Sequence, residues 1–396
     1  MIEIDTIKTF EKWLKEGIPY KAAIQNLNIT TFENEILNHT YKGCLFLGCE
    51  MTNLAAGHIS LTEGLVIVDR NEMSFKIHRA HLYHPMELFA GFDLDNQAGY
   101  QASYDYKIYK EYVETGMETP PSIATSLARR LHDHSITDAL YEEIDGEKIV
   151  AIMGGHGMER QDPYYLKIAK ISRKLSQKGF LMVSGGGPGA MEATHFGAYF
   201  AGRSEKEMIQ ALDNMKLRPA NAEIGKEYAD KDWLHRAWKV YHNYPIPAGA
   251  EKISKSIGVP TWLYGHEPPT LFATHIAKYF ANSVREDGLL TIAKYGVIFA
   301  PGSAGTTQEI FQDAAQNHYA AYNTHDMKKY VSPMILFGVK AWTEDRPLWD
   351  FIQKTSHGRP YGELLHLTED VDVIIERIVN YNPDDYAFPK GKIDNS

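Results

Sequence analysis

The chain has 396 residues, with 41 Lys and Arg against 51 Asp and Glu, 44% hydrophobic residues and two cysteines. This apolar content excludes a disordered chain, and at ~150 residues per domain the length suits two or three domains with full cores. The net charge of -10 gives no overall attraction to nucleic acid or to an anionic membrane, so neither is expected as a partner.

Residues 1–145 predict an α+β domain whose role is not legible. Helical spacing runs over Ile7 to Leu14 and again over Lys21 to Leu27, and GLVIVDR reads as a strand. The opening, MIEIDTIKTFEKWLKEG, alternates acidic and basic residues where a secretory signal needs an apolar core, and no apolar run approaches the ~20 residues of a membrane span. A cytoplasmic protein is expected. Cys44 and Cys49 lack the spacing of a redox or zinc pair and read as buried reduced thiols. His78, His81 and His84 would walk around a helix instead of sharing a face, so they read as surface or interface histidines and not as a metal site.

From Lys148 the rhythm changes. KIVAIMGG is a strand, and DPYYLKIAKISRKLSQKG an amphipathic helix stopped by Gly179. FLMVSGGGPG is a second strand entering a glycine loop, and AMEATHFGAYFAG the helix after it. The stretch 203–252 carries Trp233, Trp238, Tyr241 and Tyr244, and the spacing of Trp233, Ala237, Val240 and Tyr241 predicts a core-packing face. SIGVP then reads as a strand, Thr270 to Ser283 as a helix, and YGVIFAPGSAGTTQEIFQDAAQN as strand, glycine loop and helix. SPMILFGV is expected to be the last strand, and TEDVDVIIERIVNY a C-terminal helix. Such alternation predicts an α/β fold, a Rossmann-like doubly wound parallel sheet over 146–385, followed by a loose polar tail at 386–396.

Two loops carry the chemistry. Gly185, Gly186, Gly187 and Gly189 connect a strand to a helix that begins near Met191 and Glu192; Gly302, Ser303, Gly305, Thr306 and Thr307 do the same further on. Glycines allow close backbone approach, and a following helix aims unpaired N–H groups and the positive end of its dipole at the loop. In an open α/β sheet both loops can border one crevice and hold a nucleotide phosphate, with Met191 and Glu192 toward the sugar or base. His156, in the GGHG loop after the first strand, stands at the same sheet edge. Neither loop is a P-loop or a dinucleotide fingerprint, which argues against triphosphate hydrolysis and hydride transfer.

SGGGPGAMEA and PGSAGTTQE resemble the paired signatures of the LOG (lysine decarboxylase-like) family, whose second motif reads PGGxGTxxE. The resemblance extends to GGHGMERQDPYYLKIAKISRKLSQKGF and to EPP at Glu267 to Pro269, covers roughly Lys148 to Trp349, and is nearest the larger bacterial nucleotide 5'-monophosphate nucleosidases of that family. It implies a phosphoribohydrolase that cleaves a nucleoside 5'-monophosphate with water, needs no cofactor or metal, and forms a homodimer or higher homo-oligomer. It also implies Glu309 as the catalytic carboxylate and Arg285 as the catalytic arginine, the latter one residue out of register. Ser303 replaces the second glycine of the motif, a change that matters where the backbone needs a positive φ.

Those residue types suit the reaction. Breaking a glycosidic bond builds positive charge on the sugar, which a fixed carboxylate stabilises while orienting water. Glu309 is expected in the first helical turn, where the dipole favours the ionised form and hence a base or electrostatic role. The alternative is a non-catalytic nucleotide or phosphorylated-cofactor binding protein, a sensor or carrier, using the same loops.

Overall fold

The computed structural model describes residues 1–69, 72–95, 99–216, 225–322 and 330–384. The expected loose tail at 386–396 and part of the 203–252 insertion therefore lie outside the described residues. Contacts divide the chain into two compact units. The first comprises 1–82, 107–145 and 279–281, and the second 83–106, 146–278 and the chain from Asn282 onward. Among the described residues no helix is long and apolar enough to cross a membrane.

In the first unit, four short strands, β1 (Ile2–Ile4), β2 (Ala22–Gln25), β3 (Leu45–Leu47) and β4 (Leu65–Ile67), form a parallel sheet in chain order. Ile4, Ile24, Phe46 and Val66 stand side by side in register, so the chain returns to the same place about every 20 residues, as in a short solenoid. Ile4, Ile24 and Phe46 pack with Phe10, Trp13 and Tyr41 in its core. The expected helix over Lys21 to Leu27 is instead β2. Seven residues are too few for apolar spacing to separate helix from strand, and all four β2 residues are buried, as in a strand covered on both faces. Cys44 and Cys49 are buried free thiols flanking β3, and burial pushes the Cys49 thiol up to about 11. His78 is not at the surface as expected. It is buried, 2.6 Å from Gln25 Oε1, and desolvation lowers it to about 4; His81 is exposed.

In the second unit, β5 (Lys148–Met153), β6 (Phe180–Ser184), β7 (Ser256–Gly258), β8 (His275–Ile276), β9 (Val297–Phe299), β10 (Met334–Phe337) and β11 (Leu365–Thr368) form a seven-stranded sheet. All pairings are parallel and the order is β11-β10-β9-β5-β6-β7-β8. The chain winds outward from β5 to β8, then returns to the other side of β5 and winds the opposite way. This is the expected doubly wound α/β arrangement, with its reversal between β5 and β9. Helix Pro163–Gln177 packs on both Ala190–Tyr199 and Val371–Val379, while Asn282–Ile292 packs on Ala304–Tyr322.

Local chemistry sets these boundaries. Asp162 caps the first helix by accepting from Tyr164 N at 2.8 Å, Pro163 takes its first position, and Gly179 leaves it with φ +85°. Two expectations change. SPMILFGV is followed by another strand, β11, and the expected helix over Thr270 to Ser283 is instead an irregular segment containing β8, with helix starting only at Asn282. Residues 271–273 and 276–281 are buried, so this segment has no solvated helical face and is satisfied as the sheet's outer strand. In the insertion, Trp233, Ala237 and Val240 are buried on helix Lys231–Asn243, and Trp238 packs 4.8 Å from Phe92, which accounts for the aromatic spacing by packing.

Candidate active site

Three adjacent strands, β9, β5 and β6, deliver their carboxyl ends to one place, at the reversal of strand order where open α/β sheets bind ligands. The loops after them are stitched by backbone hydrogen bonds. Ala190 N donates to Gly155 O at 3.1 Å, and Gly155 N donates to Pro301 O at 3.2 Å. This closeness requires glycine at position 189, which has φ +71° and where a Cβ would overlap the carbonyl oxygens of Gly155 and His156.

The loops enclose a cavity of about 240 Å³. Of the residues expected at the site, His156, Gly185, Gly187, Met191, Arg285, Ser303, Gly305, Thr306 and Glu309 line it. Ser303 is absent from the positive-φ residues, so its departure from glycine costs no backbone strain. Gly305, second in helix Ala304–Tyr322, borders the cavity with nothing within 4 Å of the position a Cβ would occupy. The first-turn N–H groups of this helix have no intrahelical acceptor, so together with the Thr306 side chain they make an anion cradle.

The other expected site residues do not line the cavity. Gly186 and Gly189 shape the turn, the Gly186 carbonyl accepting from Thr270 N at 2.8 Å. Gly302 lies against Thr306, and the Thr307 hydroxyl donates back to Ser303 O at 3.2 Å. Glu192 needs the fullest correction. It is 1% exposed and its carboxylate is consumed by Arg160 Nε and Nη2 at 2.8 and 2.6 Å and by the Tyr165 hydroxyl at 2.8 Å. Arg160 in turn donates to Trp233 O at 2.8 Å, so this ion pair ties the glycine-loop helix to the aromatic insertion.

Arg285, on helix Asn282–Ile292, is held by a hydrogen bond from its Nε to Val259 O at 2.8 Å. Its guanidinium passes over the first glycine loop, where a Cβ at Gly185 would stand 2.5 Å from Nη2. Nη1 lies 3.8 Å from Glu309 Oε1. Glu309 is the sixth residue of its helix, in the second turn and not the first as expected. At 8% exposure, burial pushes its carboxyl up to about 7, with Arg285 pulling the other way and Glu286 adding to the rise. The dipole effect fades beyond the first turn, so desolvation decides and the group is half protonated near neutrality.

The cavity wall also contains residues that sequence reasoning did not assign to the site: Gly154, Gly155, Pro260, Thr261, Tyr264, Glu267 and Pro269. Glu267 is the one with chemistry. Burial pushes it up to about 7 against the pull of His266, Arg285 and Lys278, and its Oε1 lies 3.5 Å from His156 Nδ1. Desolvation lowers His156, and its ring meets Tyr228 edge-on at 5.9 Å. The available signal was topological: in a doubly wound sheet the segment after β7 borders the same crevice as the loop after β6. The wall is braced from behind by Asp105, which accepts from Trp262 Nε1 at 2.9 Å and Lys278 Nζ at 2.8 Å.

No model of a known protein family matches this chain, and no curated protein is significantly similar to it.

Proposed function

We propose that this protein hydrolyses the N-glycosidic bond of a nucleoside 5'-monophosphate, releasing the free base and ribose 5-phosphate. The observation that carries the reading is the association, in one cavity, of an anion cradle at a helix N-terminus with a buried carboxyl one turn further along and a guanidinium 3.8 Å from it. The cradle suits the 5'-phosphate. Glu309 then meets the ribose, where as a carboxylate it stabilises the oxocarbenium-like transition state and accepts a proton from water. Arg285 favours the ionised form of Glu309 and offers charge-assisted hydrogen bonds to ribose hydroxyls. The resemblance of SGGGPGAMEA and PGSAGTTQE to the LOG signatures supports the same assignment.

The test is incubation of the purified protein with a panel of nucleoside 5'-monophosphates, measuring free base and ribose 5-phosphate. Turnover should fall ~10²- to 10³-fold in Glu309→Gln while nucleotide binding persists, because the carboxylate acts on charge that develops in the transition state. Binding without release of any base by the unmodified protein would leave a nucleotide-binding protein. Unchanged turnover in Glu309→Gln would remove the mechanism.

A further inference from the structure

The hydrolysis above has two proton transfers. Water must lose a proton as its oxygen attacks C1', and the departing base must gain one at a ring nitrogen or exocyclic oxygen, since an unprotonated base leaves as an anion. Glu309 serves the first. For the second, the cavity offers one further carboxyl largely withdrawn from solvent, Glu267, with a side chain 11% exposed. It comes from the segment after β7, whereas Glu309 comes from the helix after β9. It also stands over the first glycine loop: its Oε2 is 3.5 Å from the position of a Cβ on Gly187. With the phosphate at Gly305 and Thr306 and the ribose at Glu309, the base is left to the remaining wall, which includes Tyr264, Glu267 and His156 along with Met191 and Pro260.

We propose that Glu267 is a second catalytic residue, a general acid whose carboxyl passes its proton to the departing base. This inference rests on the nucleosidase reading. The C1'–N bond breaks with its electron pair going to the base, and the Glu267 proton neutralises it. The C1'–O bond forms from water, whose proton goes to Glu309. A proton then leaves Glu309 and one returns to Glu267 through solvent, which restores both groups. The charged and titratable groups acting on Glu267 are His156, His266, Arg285 and Lys278, and those on Glu309 are Arg285 and Glu286. Burial pushes both carboxyls up to about 7, so either form of each is accessible near neutral pH, and it is their separate places in the cavity that assign Glu309 as the base and Glu267 as the acid.

The experiment compares unmodified protein, Glu267→Gln and Glu309→Gln on a natural nucleoside monophosphate and on 4-nitrophenyl riboside 5-phosphate, whose leaving group needs no proton. Glu267→Gln should lose ~10²- to 10⁴-fold in kcat on the nucleotide and stay within a few-fold of the unmodified protein on the nitrophenyl substrate. Glu309→Gln should lose activity on both. With unmodified protein, the fall in kcat above about pH 7 should appear for the nucleotide and vanish for the nitrophenyl substrate. Retained nitrophenyl activity is itself the proof that the variant folds; Glu267→Asp, expected to show the same split, serves if the Gln variant does not fold. Equal losses on both substrates in a folded variant, or a raised KM with unchanged kcat, would overturn the acid role. If the unmodified protein cleaves neither substrate, the nucleosidase reading fails instead.

Discussion

Glu309→Gln is expected to make the protein more stable at alkaline pH while removing its turnover, because the folded state holds this carboxyl where an ionised group is poorly solvated. The residue is 8% exposed, and burial raises its carboxyl from 4.5 to about 7. A folded value above the unfolded one means that the native state binds more protons between those limits. The stability from the neutral form is therefore complete below about pH 4.5 and is lost as pH rises through about 7. At ~1.4 kcal/mol per unit, ionised Glu309 costs about 3 kcal/mol at pH 8.5, about 1 kcal/mol at pH 5.5 and nothing at pH 4. Glutamine has nearly the same shape and cannot ionise, so the variant escapes the penalty. Urea unfolding of both ligand-free proteins at these three pH values measures it, and at pH 8.5 the melting temperature should rise by roughly 4 °C. A gain that does not grow with pH, or a less stable variant at pH 8.5, would refute the reasoning.

Other outcomes follow from the same geometry. Gly305→Ala adds a methyl group where nothing in the protein stands within 4 Å, so the fold should be unaffected or slightly stabilised, while calorimetric affinity for a nucleoside monophosphate should fall tenfold or more. Arg285→Gln removes the positive charge that pulls Glu309 down, so the acid limb of the pH–rate profile for base release should move to higher pH. Glu192→Ala leaves Arg160 buried without its partner and should cost ~3–5 kcal/mol in urea unfolding, although Glu192 does not line the cavity. The resemblance to LOG proteins predicts a homo-oligomer, so sedimentation at micromolar concentration should find a species larger than 44.8 kDa.

Much of the fold was legible because its signals are local. Strand, glycine loop and helix follow one another within about 25 residues around Gly185–Gly189 and Gly302–Gly305, and both loops do border one cavity together with Glu309 and Arg285. Capping by Asp162 and the stop at Gly179 are likewise written in adjacent residues. Tertiary structure decided what depends on distant partners. Ala22–Gln25 is a strand because neighbouring strands supply its hydrogen bonds, and His275–Ile276 is one because β7 is beside it. Glu192, beside the glycine loop in sequence, faces Arg160 and is spent on an ion pair, whereas Glu267, far from both loops in sequence, joins the site. The ionisation of Glu309 shows the difference most directly. That it lies on the helix after the second glycine loop is readable from sequence, although its turn is not, and its elevated pKa comes from water excluded by segments that meet only in the folded chain, a desolvation that outweighs the helix dipole.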